Sequence, residues 1–153
     1  MYFDSEAMQS ATAATPAPPD NGRMATTARA PQRAIEEKMR AIIALGNCES
    51  THLFSEEGLP IAQATASNIE QVEQDQIAEM AILLQAVRRM SSVMGGISQL
   101  REIVIEGTNR RKIVFRFFES FGQPVVLAMV VPPNTAYRQR TNELEKLIVG
   151  ESF

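Results

Sequence analysis

The chain begins with a polar segment in which hydrophobic residues follow no regular spacing. Residues 1–31 are rich in Ala, Thr, Ser and Pro, and this composition offers little apolar surface to offset the entropy of ordering. We predict a disordered tail over 1–31 and a single folded domain over 32–150. A first helix is predicted directly after the tail, because apolar residues recur at helical spacing from Ile35 to Ile43.

Two short runs follow, residues 49–55 and 59–64, on either side of the turn at residues 56–58, which contains a glycine. This pattern is typical of a β-hairpin. Pro60 cannot donate a hydrogen bond to a neighbouring strand. The second run is therefore predicted to lie at a sheet edge.

The longest periodic segment runs from about residue 73 to residue 94 and predicts a long helix. Its apolar residues fill about half of the helix circumference, whereas a helix that covers one sheet needs a stripe of little more than about 100°. The surplus indicates either a deeply buried core helix or a second contact, with another element or another subunit. The methionines on this surface suit an interface that must adapt.

After the glycine pair at 95–96 the hydrophobic period becomes that of strands. Residues 100–106 and 112–119 carry polar side chains on one face and predict a second hairpin. Residues 125–131 have no polar side chain on either face, which predicts a strand in the middle of the sheet. A closing helix is predicted with Asn134 as its N-cap.

The predicted element order is α-β-β-α-β-β-β-α. A fully buried central strand needs helices on both faces of the sheet. The long helix can cover one face and the two terminal helices the other. We therefore predict the α/β class, as a three-layer α/β/α sandwich around a five-stranded, mostly antiparallel sheet.

Composition argues against several classes of function. The 153 residues include 15 Lys and Arg against 18 Asp and Glu, for a net charge of -3, so the broad positive field that binds nucleic acid is absent. Cys48 and His52 are the single residues of their types. A hydrolase that uses this pair is one hypothesis, but a histidine packed in or beside a sheet is the favoured interpretation. We predict no catalytic, cofactor-binding or metal-binding residue, and a protein that is not an enzyme.

The sequence also bears on the cellular compartment. The first residues lack the basic and apolar regions of a signal peptide, and the longest aliphatic run, 125–131, is too short to span a bilayer. One cysteine cannot form an internal disulfide. We expect a cytoplasmic protein without membrane insertion.

The sequence resembles the roadblock family, the dynein-light-chain-like proteins of the roadblock/longin group. The resemblance covers about residues 35–148 and rests on these segments: the hairpin Phe54–Ala62, Glu79-Met80-Ala81, Gly95-Gly96, Ile103–Glu106 and the apolar last strand. In one place it departs from the family, because Glu56-Glu57 stands where Asp-Gly is frequent. Glu is less suited to the turn, so a longer hairpin is expected.

The resemblance implies a sheet order of 2-1-5-4-3 and a homodimer joined through the third strand and the long helix. The candidate interface residues are Met80, Leu83, Val87, Met90, Met94, Ile103 and Ile105. It further implies that the dimer binds a small Ras-like GTPase, as a bacterial-type regulator or scaffold. The polar arc of the long helix would then face the GTPase: Gln85, Arg88, Arg89 and Ser92.

A small-molecule sensor domain of the PAS or GAF type is the alternative from a different class. Such domains also use a five-stranded sheet with flanking helices. The alternative predicts an enclosed pocket on one face of the sheet.

Overall fold

The computed structural model describes residues 21–66, 71–91, 93 and 99–151, with side chains described for residues 30–66, 73–91, 93 and 99–150. The helices and strands, in chain order, are α1 (Asn21–Ala44), β1 (Ser50–Ser55), β2 (Pro60–Thr65), α2 (Gln71–Ser91), β3 (Glu102–Glu106), β4 (Lys112–Ser120), β5 (Gln123–Val131) and α3 (Arg138–Glu151). This order confirms the prediction.

The five strands form one antiparallel sheet with the order β2-β1-β5-β4-β3. β2 lies at one edge, as the proline at its start predicted. β5 lies at the centre, and every residue from Val125 to Val131 is buried. The prediction of a central strand covered on both sides is therefore confirmed.

Two apolar cores fill the space between the sheet and the helices. On one face, which we call the α1/α3-side core, Ile35 and Met39 of α1 and Leu144 of α3 pack against alternate residues of β5. On the other, the α2-side core, Ile77, Ala81 and Leu84 pack with Phe54, Phe115 and Phe117. Because side chains alternate across a strand, β5 contributes to both cores. The three-layer sandwich is confirmed.

The first helix begins earlier than predicted, at Asn21, and contains Pro31 within it. A proline inside a helix removes one backbone hydrogen bond, but Ala and Arg, which favour helix, stand on both sides of it. The predicted helix start after Pro31 is therefore wrong, and residues 21–31 of the predicted tail are helical. The rest of that tail, residues 1–20, lies outside the described residues.

The last helix begins later than predicted. Asn134 does not cap it, since it lies in the turn after Pro132-Pro133 with a φ of 56°. Asparagine tolerates this left-handed conformation better than most residues. The helix instead follows Tyr137, whose carbonyl oxygen accepts a hydrogen bond from Thr141 N at 2.9 Å.

The β1–β2 hairpin closes over residues 56–59 and its tip rests on α2. Gly58 N donates to Ser55 O at 3.0 Å, and Leu59 N donates to the Ser55 hydroxyl at 3.1 Å. Gly58 has a φ of 86°, and a Cβ added there would lie 2.3 Å from Cγ1 of Ile82. The tip thus needs glycine both for its backbone conformation and for its close approach to α2.

Replacing Gly58 by alanine should lower the free energy of unfolding by about 2 kcal/mol, since the new methyl group adds a clash to the strain of a positive φ. Gly46→Ala is the matched control, because Gly46 has a φ of 81° and no atom within 4 Å of a built Cβ. It should cost about 1 kcal/mol, from strain alone. Urea unfolding measures both, and equal costs would refute the role assigned to the contact with Ile82.

Candidate partner-binding surface

The orientation of α2 on the sheet leaves part of its apolar arc in water. Ile77, Ala81 and Leu84 face the sheet. The exposed fractions of three further residues are 65% for Leu83, 39% for Val87 and 65% for Met90. These three lie about one turn apart on one flank of the helix. α2 is therefore not a deeply buried core helix, which was one of the two interpretations that the sequence allowed.

This apolar flank lies beside the edge strand β3. Ile103 is half-buried against the α2-side core, and Ile105 is 38% exposed. We call the surface formed by Leu83, Val87, Met90 and Ile105 the α2/β3 surface. Of the other predicted interface residues, Met80 is half-buried against the same core, and Met94 lies outside the described residues.

The free edge of β2 is protected against a further strand. Pro60, its first residue, has no N–H to donate. Gln63 N donates to Oε1 of Glu36 in α1, at 3.3 Å. Proline and charged side chains of this kind are the usual means by which proteins block strand addition.

The free edge of β3 contains no proline, although its first and last residues, Glu102 and Glu106, are charged. Phe117 N donates to Arg101 O and Gly107 N donates to Arg111 O, each at 2.9 Å. Because antiparallel pairing alternates, the backbone groups of Glu102, Val104 and Glu106 point away from β4. β3 is thus the edge suited to pair with another strand, and it adjoins the exposed flank of α2.

The four residues predicted to face a GTPase differ in their exposure and contacts. Gln85 is 3% exposed, so its expected position on the outer surface is wrong: the face of α2 that meets the sheet includes part of the polar arc. Arg88 is half-buried, with its guanidinium 5.6 Å from the centre of the Phe117 ring. Arg89 is exposed, with Nη2 3.5 Å from Oε1 of Glu56. Ser92 lies outside the described residues. Contact of these residues with a GTPase stays a prediction.

Other exposed apolar residues were missing from the predicted site. Leu59 in the β1–β2 turn is 63% exposed, Ile82 is 52% exposed and Val93, just after α2, is 85% exposed. Ile82 lies on the other flank of α2 from Leu83. Helical spacing in the sequence already indicated this second flank. On the helix circumference, Ile82 and Val93 extend the apolar arc beyond the position of Glu79.

Cys48 and His52 do not form a catalytic pair. Cys48 packs in the α1/α3-side core, whereas the His52 ring stacks on Phe54 of the α2-side core, with centroids 5.9 Å apart. The sheet therefore separates them. Burial raises the pKa of the Cys48 thiol to about 12, and Glu49 adds to the shift, so the thiol is protonated and a poor nucleophile at neutral pH.

The environment of His52 should make stability depend on pH. The ring is 1% exposed, and Nε2 has no hydrogen-bond partner in the described part of the chain. Burial lowers the pKa of His52 from its ordinary value of 6.5, while a hydrogen bond with Gln63 opposes the shift. The folded protein therefore favours the neutral ring.

Because the unfolded chain binds a proton that folded His52 resists, stability should be full above pH 6.5 and fall as the pH drops below it. The slope should approach, at most, about 1.4 kcal/mol per pH unit. Urea unfolding from neutral to mildly acidic pH, compared with His52→Asn, isolates this effect, since the chain has one histidine. Equal slopes in the two proteins would contradict the prediction.

Two arginines are engaged in ion clusters that sequence reasoning missed. Nη2 of Arg111 lies 2.6 Å from Oε2 of Glu49 and 2.8 Å from Oε1 of Glu73, which ties the β3–β4 turn to β1 and α2. Arg116 is 3% exposed and lies in a second cluster with Glu102 and Glu145. The alternation of β4 held a signal for this cluster, because Arg116 occupies an inward position between apolar residues.

The structure gives no support to the PAS or GAF alternative. Three pockets lined by described residues are open to solvent: one at the end of the sheet beside Arg88, one along β2 beside Arg40, and one beside the β3–β4 turn at Asn109. Both faces of the central strand are packed against helices. An enclosed ligand cavity is what that alternative requires.

The described residues bring together no group of three or more His, Cys, Asp or Glu that could hold a metal ion. None of the helices they form is long and apolar enough to cross a membrane.

The element order and the sheet order are those that the resemblance to the roadblock/longin group implied. No protein-family profile matches the sequence, and no curated protein matches it. Solved structures do match. The gliding protein MglB from Thermus thermophilus superposes with a TM-score of 0.59 at 14% identity, over 80% of this chain and 91% of that chain.

Two further structures agree with this assignment of the fold. MglB from Myxococcus xanthus superposes with a TM-score of 0.59 at 15% identity, over 77% of this chain and 86% of that chain. A Roadblock/LC7 domain from Streptomyces avermitilis gives a TM-score of 0.58 at 17% identity, over 74% of this chain and 90% of that chain. The fold implied by the resemblance of the sequence is confirmed.

Proposed function

We propose that this chain forms a homodimer through the α2/β3 surface and that the dimer binds a small Ras-like GTPase, as a regulator or scaffold without enzymatic activity. The observation that carries the proposal is the orientation of α2. The helix buries Gln85 and exposes Leu83 and Met90, each 65% exposed. In an isolated domain this arrangement is unfavourable, because it buries an amide and leaves large aliphatic side chains in water.

A second subunit would make the same arrangement favourable. Complete burial of an aliphatic side chain contributes about 1.5–3 kcal/mol, and a two-fold interface buries each of Leu83, Val87, Met90 and Ile105 twice. The α2/β3 surface is also continuous with the free edge of β3, which has no proline. Antiparallel pairing of β3 with its copy would join the two sheets into one.

Support for a GTPase as partner comes from the family that the sequence and fold resemble, whose members bind Ras-like GTPases. A dimer formed through the α2/β3 surface would leave the other flank of α2 accessible. That flank combines apolar Ile82 and Val93 with the exposed cation of Arg89. Apolar contacts with a charged rim are typical of protein interfaces. The inert thiol of Cys48 and the buried ring of His52 favour a role in binding rather than catalysis.

The test is binding to the Ras-like GTPases of the source organism, each loaded with GDP or with a non-hydrolysable GTP analogue. Arg89→Glu should weaken the complex about tenfold, since it reverses a charge at the rim of the interface. Arg138→Glu, the same reversal on an exposed residue of α3, should have no effect. Failure to bind any of them in either state would contradict the GTPase partner and would leave the dimer to be decided by sedimentation.

A further inference from the structure

A pocket opens at one end of the sheet, between the C-terminal end of α2 and the residues that precede β3. Its lining includes Arg88 and Ser91 of α2, Leu100 and Arg101, and Phe117 and Phe118 of β4. We call it the end pocket. The roles proposed for the α2/β3 surface leave it without a function.

Arg88 lines this pocket and supplies a charged hydrogen-bond donor. Its guanidinium lies 5.6 Å from the centre of the Phe117 ring, and its Nη1 is buried and has no hydrogen-bond partner in the described part of the chain. Burial lowers the pKa of Arg88, although Glu119 and Glu56 oppose the shift. An unsatisfied buried donor is costly. A guanidinium stacked on an aromatic ring is, however, already oriented to bind a carboxylate.

The remainder of the lining is compatible with an acidic ligand that also carries an apolar group. Arg101, which is exposed, contributes a second cation. Two carboxylates also line the pocket, but Glu145 is bonded to Arg116 at 3.2 Å, and Glu119 is exposed. Leu100 and Phe117 provide the apolar wall, whereas the Phe118 side chain belongs to the α1/α3-side core on the other face of the sheet.

The chain itself contains a segment with this chemistry. Residues 1–20 include Asp4, Glu6 and Asp20 but no Lys, Arg or His, and the first two acids follow closely on Tyr2 and Phe3. A ligand taken from this segment would bring carboxylates and aromatic rings together. The carboxylates complement the cations of the end pocket, and the rings complement its apolar wall.

The segment starts from the correct end of the sheet. α1 is antiparallel to β1, with which it is joined by a short loop, so its first residues point toward the β1–β2 hairpin. α2 ends there too, as the contact of Arg89 with Glu56 shows. Twenty extended residues span up to about 66 Å, whereas the edge strands of a five-stranded sheet are about 19 Å apart. The acidic residues can therefore reach the end pocket.

We propose that the end pocket binds residues 1–8 of this same chain, with Asp4 or Glu6 accepting hydrogen bonds from Arg88 and Tyr2 or Phe3 packing on the apolar wall. This contact is independent of the proposed dimer and of the GTPase. It would give the segment a defined place on the surface that adjoins the exposed end of α2.

Paramagnetic relaxation in the full-length protein tests the proposal. A nitroxide on Ser5→Cys labels the segment, because Cys48 is buried and its thiol unreactive. The amide signals of Leu100, Phe117 and Glu119 should lose intensity compared with the reduced label. Arg88→Gln should restore them, and so should the double variant Asp4→Asn with Glu6→Gln.

The matched control is Arg110→Gln, which removes the same charge from the β3–β4 turn at the opposite end of the sheet. It should leave the intensity losses unchanged, and circular dichroism should show that every variant is folded. The proposal is wrong if the label broadens no signal around the end pocket. It is equally wrong if the broadening persists after Arg88 or both acids are replaced.

Discussion

Leu83→Glu should convert the proposed dimer into a folded monomer. Leu83 is 65% exposed within one chain, so a glutamate there remains solvated and should change the stability of the monomer little. In the dimer the same carboxylate would be buried without a partner, which is strongly unfavourable. We expect the dissociation constant to rise about 100-fold or more, equivalent to about 2.8 kcal/mol.

Sedimentation velocity over a concentration series measures this effect. Val149→Glu is the matched control, because Val149 is an aliphatic residue of α3 with 48% exposure on the opposite face of the sheet. It should leave the dimer intact. A wild-type protein that is monomeric at micromolar concentration would refute the dimer, as would a Leu83→Glu variant that associates as tightly as Val149→Glu.

The strand edge can be tested separately from the helix. Val104→Pro removes an N–H that points away from β4, so it should disturb the outer edge of β3 while preserving its ladder with β4. Weaker association of this variant would place β3 in the interface. Unchanged association, combined with dissociation of Leu83→Glu, would place the interface on α2 alone.

Arg116→Ala should destabilise the fold by about 3 kcal/mol, because it leaves two partly buried carboxylates without their cation. Arg116 is 3% exposed, and its guanidinium lies 3.7 Å from Glu102 and 3.2 Å from Glu145. It also donates to Oδ1 of Asn142. The side chain thus connects β4 with the edge strand β3 and with α3. Both carboxylates are 22% exposed, so their partial solvation keeps the cost at the lower end of the range for a broken buried pair.

Urea unfolding at fixed protein concentration measures this change, since dimerisation makes stability depend on concentration. Arg140→Ala is the control: Arg140 pairs with Glu143 at 3.2 Å on the surface, and its loss should cost under about 1 kcal/mol. Adding Glu102→Gln and Glu145→Gln to Arg116→Ala should recover part of the stability. If Arg116→Ala costs no more than Arg140→Ala, the cluster does not hold these elements together.

The fold followed closely from local pattern. The absence of polar residues from Val125 to Val131 placed that strand at the centre of the sheet, and Pro60 placed its strand at an edge. The failures were at helix ends. Pro31 lies inside α1 rather than before it, and Asn134 occupies a turn rather than a cap. Helix ends depend on the balance of a few hydrogen bonds, which neighbouring residues decide.

The candidate site was only partly accessible from the sequence. The helical wheel showed that α2 has more apolar surface than one sheet can cover, and Leu83, Val87 and Met90 are exposed accordingly. The wheel could not give the rotation of the helix about its own axis. It therefore placed Gln85 outside, where the structure buries it, and it could not show that Arg88 meets the ring of Phe117.

The sequence alone determined the order of the elements, the two-sided burial of β5 and the surplus of apolar residues on α2, because each depends on residues close together in the chain. Tertiary structure decided which face of α2 packs on the sheet, which contacts cover the free edge of β2 and which charged side chains surround Arg116. The contact of Glu36 with Gln63 and the cluster around Arg116 join residues far apart in sequence. Such contacts depend on how whole helices and strands pack together. The hydrophobic spacing within a single segment does not specify them.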